Sequence, residues 1–114
     1  MSNIYDETKF LMKKYNINAN KSLGQNFLID DGVIQDIVFA SEITKDDLVI
    51  EIGPGLGTLT KELLENAYKV IAIELDTRMI QVLNDRFSLY DNFQIINEDI
   101  LKIDLKKLIR RGKK

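Results

Sequence analysis

The sequence contains no cysteine and no histidine, and these two absences remove much familiar catalytic chemistry. Without cysteine there is no disulfide, no thiolate nucleophile and no thiol-ligated metal. Without histidine, Ser-His triads and His-ligated metal sites are excluded, and no metal is expected. Proline occurs once, at Pro54, and tryptophan not at all. No run of eighteen apolar residues and no charged-then-apolar leader is present, so neither a membrane span nor a secretory signal is expected. The lack of cysteine agrees with a cytoplasmic setting. Whatever chemistry remains must use carboxylates, amides, backbone groups or a bound cofactor.

What is present describes one globular domain. The chain has 114 residues, 45% hydrophobic and 30% charged, near the lower end of what buries a core alone. Its formal charge of −2 is unevenly spread. Residues 1–28 carry a net +2, residues 29–101 a net −10, and residues 102–114 a net +6 from Lys102, Lys106, Lys107, Arg110, Arg111, Lys113 and Lys114 against Asp104. The acidic middle argues against nucleic acid wrapping the whole surface. The basic end reads either as a solvated helix end or as a local phosphate contact.

Residues 6–15, with Phe10, Leu11 and Tyr15, predict a short helix, and the polar stretch 16–25 a loop. Asp30 or Asp31 is placed to cap a helix whose Val33, Ile34, Ile37 and Val38 fall at helical spacing. Asp47 to Gly53 is a β-branched run ending in glycine, hence a strand. Gly53-Pro-Gly-Leu-Gly57 is a tight turn, and Thr58 to Ala67 a helix with Leu59, Leu63 and Leu64 inward. Lys69 to Glu74 reads as a buried parallel strand. Thr77 is the expected cap of a helix reaching Phe87, with Ile80, Leu83 and Phe87 inward. Phe93 to Asn97 makes a third strand, and a basic helix begins near Asp104. The pattern β-α-β-α-β after a helical preface predicts an α/β fold, a partial Rossmann-like sheet with parallel strands in order 3-2-1. The first strand would then lack a neighbour on its outer side, leaving an apolar sheet edge and suggesting an incomplete unit.

Three successive strand ends carry residues suited to an adenosine ligand. At the first, Gly53, Gly55 and Gly57 allow positive φ and close approach of a ligand to the main chain. The spacing G-x-G-x-G, with Thr58 where a dinucleotide fingerprint wants its third glycine, suits a ligand without a pyrophosphate. At the second, Glu74 can accept hydrogen bonds from both ribose hydroxyls. At the third, Asp99 can accept from an adenine amine while Ile100 packs on the ring. Each feature also has an ordinary reading: a tight turn, a polar strand end, a common acidic residue. As a set on the carboxyl edge of one sheet they point to a ligand site.

The stretch Lys21-Ser22-Leu23-Gly24-Gln25-Asn26-Phe27-Leu28-Ile29-Asp30 closely resembles the signature of the ribosomal RNA adenine N6,N6-dimethyltransferase family. Val49 to Thr60, Ile73-Glu74-Leu75-Asp76 and Asn97-Glu98-Asp99-Ile100-Leu101 resemble that family's next three motifs in order and spacing, so the likeness runs from about Phe10 to Leu108. The Leu23-Gly24 pair resembles the small-subunit housekeeping branch more than the antibiotic-resistance branch. The resemblance implies an S-adenosyl-L-methionine-dependent methyltransferase fold, dimethylation of adenine, and small-subunit ribosomal RNA as partner in the full-length enzyme. It further implies that Asn26 and Leu28 close over the cofactor, that Gly53 meets its methionine end, Glu74 its ribose and Asp99 its adenine; Gly55 and Ile100 are expected in the same cofactor site from the reading of the strand ends. On residues alone, Asn26 is an exposed loop amide and Phe27-Leu28 a hydrophobic staple. Residues 1–30 are expected to form the helix and cofactor-closing loop, and residues 31–114 the first half of the methyltransferase domain. The family's Asn-Leu-Pro-Tyr motif and helical RNA-docking domain are expected beyond Lys114, so no catalytic residue is assigned and the 114-residue chain alone is expected to be inactive. A non-enzymatic RNA-binding or ribosome-assembly module on the same fold is the alternative. An NAD-dependent dehydrogenase is disfavoured by Thr58.

Overall fold

In the computed structural model, residues 4–18 and 31–112 are described. Their elements follow the order α1 (Ile4–Lys14), α2 (Asp31–Ser41), β1 (Leu48–Ile52), α3 (Thr58–Asn66), β2 (Lys69–Ile73), α4 (Thr77–Phe87), β3 (Phe93–Ile96) and α5 (Leu105–Gly112), with a 3-10 turn at Ile100–Lys102. The strands form one parallel sheet in which β2 lies between β1 and β3. This is the expected 3-2-1 order. Leu48 stands opposite Lys69 and Ile52 opposite Ile73, while Val70 faces Phe93 and Ile73 faces Ile96.

Strand alternation divides the apolar residues between two layers. On one face Val49, Val70, Phe93 and Ile95 pack with Leu63 and Leu64 of α3 and Leu83 and Phe87 of α4. On the other, Leu48, Ile50, Ile71, Ile73 and Ile96 pack with Ile100, Ile103 and Leu108, so α5 covers this side. β2 is buried on both faces, as its unbroken apolar run requires. β1 has a ladder partner on one side, and Ile52 at its end is 59% exposed, matching the apolar edge expected from topology.

The preface is tied to the far side of α4. Leu11 and Ile17 pack with Met79 and Val82, while Glu7 pairs with Arg86 at 2.6 Å and the Tyr15 hydroxyl donates to Asp85 at 2.8 Å. α1 ends where Asn16 takes φ 53° and the Ile17 N–H donates back to the Met12 carbonyl, a closure that buries Ile17. Two expectations need correction. The N-cap of α4 is Asp76, whose carboxylate accepts from the Arg78 N–H at 2.9 Å; Thr77 is already helical. The most deeply buried residues of α4 also include Met79 and Val82, because α1 supplies a second apolar surface that periodicity alone does not reveal, whereas Ile80 is half-buried.

Candidate functional site at the carboxyl edge of the sheet

The three strand ends are joined by a hydrogen-bond ladder that continues past the strands. The Gly53 N–H donates to the Ile73 carbonyl at 2.9 Å, and the Glu74 N–H to the Ile96 carbonyl at 3.0 Å. The Asn97 side-chain amide donates to the carbonyls of Glu74 at 2.8 Å and Leu75 at 3.2 Å. Gly53, Glu74 and the segment leading to Asp99 therefore occupy adjacent positions on one edge. The sequence reading named Asn97 only as the first residue of the Asn97–Leu101 motif and gave its side chain no role; an amide directly after a strand is the signal for one.

The glycine turn takes the conformation its composition demands, with φ of 67° at Gly53, 60° at Gly55 and 88° at Gly57. Left-handed backbone of this kind is cheap only for glycine. The turn closes through the Gly57 N–H and the Pro54 carbonyl at 3.1 Å. Leu56 is driven inward among Leu11, Met79 and Val82, and its carbonyl accepts from Arg86 at 2.6 Å. Among the described residues, a Cβ on Gly53 would meet nothing within 4 Å, which leaves room for a ligand to approach this backbone. A Cβ on Gly57 would collide with Phe87 and Leu83, so that glycine serves the packing of α3 on α4. Gly57 also caps α3 without a side-chain hydrogen bond. The helix start thus keeps N–H donors and a partial positive charge toward the edge.

Glu74 is buried, and its carboxylate bridges two main-chain segments. Oε1 accepts from the Gly55 N–H at 3.1 Å and Oε2 from the Asp76 N–H at 3.0 Å. One carboxylate therefore locks the glycine turn to the start of α4 and keeps a further lone pair on each oxygen. Asp76 is itself held by Arg78, with Nη2 to Oδ2 at 2.7 Å. Asp99 caps the 3-10 turn by accepting from the Leu101 N–H at 2.9 Å, and Ile100 is half-buried against the α5 layer. Leu75 is 56% exposed directly beside Glu74. A large apolar side chain there offers a platform for a flat ring, and its position after a strand-end carboxylate was the unread signal. Asn26 and Leu28 lie outside the described residues.

Beneath the turn lies a second carboxyl group that the sequence reading did not use. Glu51, on the same sheet face as Val49, is buried and accepts from the Thr60 hydroxyl at 2.5 Å. Burial pushes its carboxyl up to about 7; the Thr60 hydrogen bond opposes this and the charge of Glu74 adds to it. Two carboxyl groups thus converge on the turn. The arrangement fits a ligand that combines hydroxyl donors, an apolar ring and positive charge, and disfavours one bringing phosphates.

The family model described as ribosomal RNA adenine dimethylase matches residues 16–114. The chain is 54% identical over 102 residues to the ribosomal RNA small subunit methyltransferase A of Clostridium botulinum strain Langeland, covering 90% of this chain and 37% of that protein. Among solved structures it resembles a dimethyladenosine transferase from Plasmodium falciparum, with a TM-score of 0.65 and 37% identity over 69% of this chain and 30% of that one. The 23S rRNA methyltransferase ErmE matches with the same score and identity, over 69% of this chain and 32% of that one. The chain thus spans a little over a third of the length of the curated relatives it matches.

Proposed function

Because the chain belongs to the ribosomal RNA adenine dimethylase family, we propose that it forms the donor-holding part of an enzyme that dimethylates adenine in small-subunit ribosomal RNA with S-adenosyl-L-methionine. When bound, that cofactor supplies an electrophilic methyl group on a sulfonium. The chain's own residues orient it. In this reading Gly53 and Gly55 leave room for its methionine portion, Glu74 accepts from the ribose hydroxyls, and Asp99 accepts from the adenine amine. Ile100 and the exposed Leu75 contact the ring, and Asn26 and Leu28 close over it. Glu74 supplies negative potential for a ligand that carries net positive charge.

The observation that carries the reading is the Glu74 carboxylate, held by the Gly55 and Asp76 N–H groups beside Gly53, where an added Cβ would meet none of the described residues within 4 Å. A carboxylate fixed by two main-chain donors costs little to orient when a ligand arrives. Small-subunit ribosomal RNA as substrate is supported by the 54% identity over 90% of the chain to a ribosomal RNA small subunit methyltransferase A.

Calorimetric titration with S-adenosylmethionine and NAD, on the chain and on its Glu74→Gln variant, tests the proposal. Selective binding of the methyl donor, weakened about ten- to a hundredfold in the variant, is expected, since hydrogen bonds to a charged acceptor contribute roughly 1.5–3 kcal/mol. A chain shown folded by circular dichroism that binds neither ligand, or prefers NAD, would sink it.

A further inference from the structure

α5 carries its charge in an arrangement that works against the helix itself. Lys102, Lys106, Lys107 and Arg110 are all exposed, and none takes part in either ion pair found among the described residues. No acidic residue lies within Leu105–Gly112; the one carboxylate beside it, Asp104, is engaged in capping the Lys106 and Lys107 N–H groups at 3.1 and 3.3 Å. Lys106 and Lys107 therefore occupy the first turn, where the helix dipole disfavours cations. Arg110 follows them at i+4 and i+3, where like charges repel by a few tenths of a kcal/mol per pair. A merely solvated face would mix the two signs. This one concentrates positive charge on a chain whose residues 29–101 carry a net −10.

Position adds to composition. Leu108 is 6% exposed and anchors the helix on Ile71 and Ile73, with Ile100 and Ile103 beside it. Helical geometry turns Lys106, Lys107 and Arg110 away from the Leu108 side. Lys102 closes the 3-10 turn three residues after Asp99, so in chain order the basic series leads from the candidate site into α5. Of the apolar residues of α5, Leu108 is committed to the sheet, while Leu105 and Ile109 remain 41% and 40% exposed.

We propose that the Lys102–Lys106–Lys107–Arg110 strip of α5 is a phosphate-contacting surface that docks the backbone of the RNA substrate beside the donor site. The inference rests on the reading of the chain as an RNA-modifying protein and adds to it the surface that holds the RNA. Contacts of this kind position the nucleic acid and do not read its sequence.

The test is fluorescence anisotropy with a labelled RNA hairpin bearing unpaired adenines in its loop. It uses the chain, a K106Q/K107Q/R110Q variant, and a K13Q/K14Q/K61Q variant that removes equal charge elsewhere, all shown folded by circular dichroism. The α5 variant is expected to lose RNA affinity at least about thirtyfold at 50 mM salt. Its log–log salt slope should fall by about 2 for three lost phosphate contacts, so the wild-type advantage shrinks about twentyfold between 50 and 200 mM salt. The control variant should bind as wild type does. Equal losses in both variants, an unchanged salt slope in the α5 variant, or no RNA binding by the wild-type chain would each overturn the surface. So would binding to phosphatidylserine vesicles without binding to RNA. S-adenosylmethionine titration of the same variants keeps the two readings apart: normal cofactor binding with no effect of α5 on RNA rejects the surface alone.

Discussion

Gly53 and Gly57 share a left-handed backbone and differ in what surrounds them, so the same substitution should have opposite consequences. Gly57→Ala forces a Cβ within 2.5 Å of Phe87 and places alanine at φ 88°; strain of about 1–2 kcal/mol and overpacking of about 1–3 kcal/mol should lower the denaturant midpoint sharply. Gly53→Ala meets none of the described residues within 4 Å, so stability should fall only by the strain of about 1–2 kcal/mol, while S-adenosylmethionine affinity falls more than tenfold because the methyl group stands where the ligand is proposed to approach. A Gly53→Ala variant that binds normally would remove that glycine from the site. Glu51 belongs to the same scale. Its carboxyl is raised chiefly by burial, from 4.5 to about 7. Between those values the folded state holds a proton that the unfolded state has released, so folding stability falls as pH rises. The contribution is full below about pH 4.5 and is lost as pH rises through 7, a span worth about 3 kcal/mol. Chemical denaturation at pH 5 and pH 8 should therefore show the wild type losing up to about 3 kcal/mol more than Glu51→Gln. Parallel profiles would mean that Glu51 does not titrate in this range. The sequence displayed Glu51 but not its burial, which arises only when Thr60 of α3 folds down onto β1.

At the scale of elements, α4 shows both what periodicity discloses and what it omits. Its inward residues Leu83 and Phe87 were legible because a single 3.6-residue stripe faces the sheet. Met79 and Val82 face α1, a partner more than sixty residues away in sequence, and no local pattern could announce that contact. The cap was ambiguous for a different reason: Asp76 and Thr77 are adjacent and both residue types cap well. The backbone decides, since Asp76 is extended at φ −83° and ψ 113°. Asp76→Ala should cost about 1–2 kcal/mol through loss of the cap and of the Arg78 pairing, and Thr77→Ala a few tenths, measured by thermal unfolding. Equal costs would return the cap to Thr77. The strands were read to within a residue because β-branched runs bounded by turn residues leave little freedom. The 3-10 turn was not foreseen; it depends on Asp99 finding the Leu101 N–H, a bond one residue pair wide.

For the whole molecule, the place of the candidate site followed from topology, because three parallel strands bring their carboxyl ends to one edge. Its internal locking was not legible. That Glu74 ties the glycine turn to α4, that Arg86 holds both the turn and α1, and that Asn97 closes the ladder are long-range facts. They make the ligand site and the fold share hydrogen bonds, so a ligand at this edge should stabilise the entire domain. At a hundred times its dissociation constant, S-adenosylmethionine should add about 2.7 kcal/mol, which for a domain of this size raises the melting temperature by about 10 °C. NAD at the same concentration should shift it little, because its pyrophosphate would sit beside the Glu74 carboxylate and a turn lacking the dinucleotide spacing. Glu74→Gln should keep less than half of the methyl-donor shift, since its amide cannot accept from both Gly55 and Asp76. Differential scanning fluorimetry reads all three. An equal shift from NAD would mean that the edge recognises adenosine alone, and the assignment of a methyl donor would fail even though the fold stood.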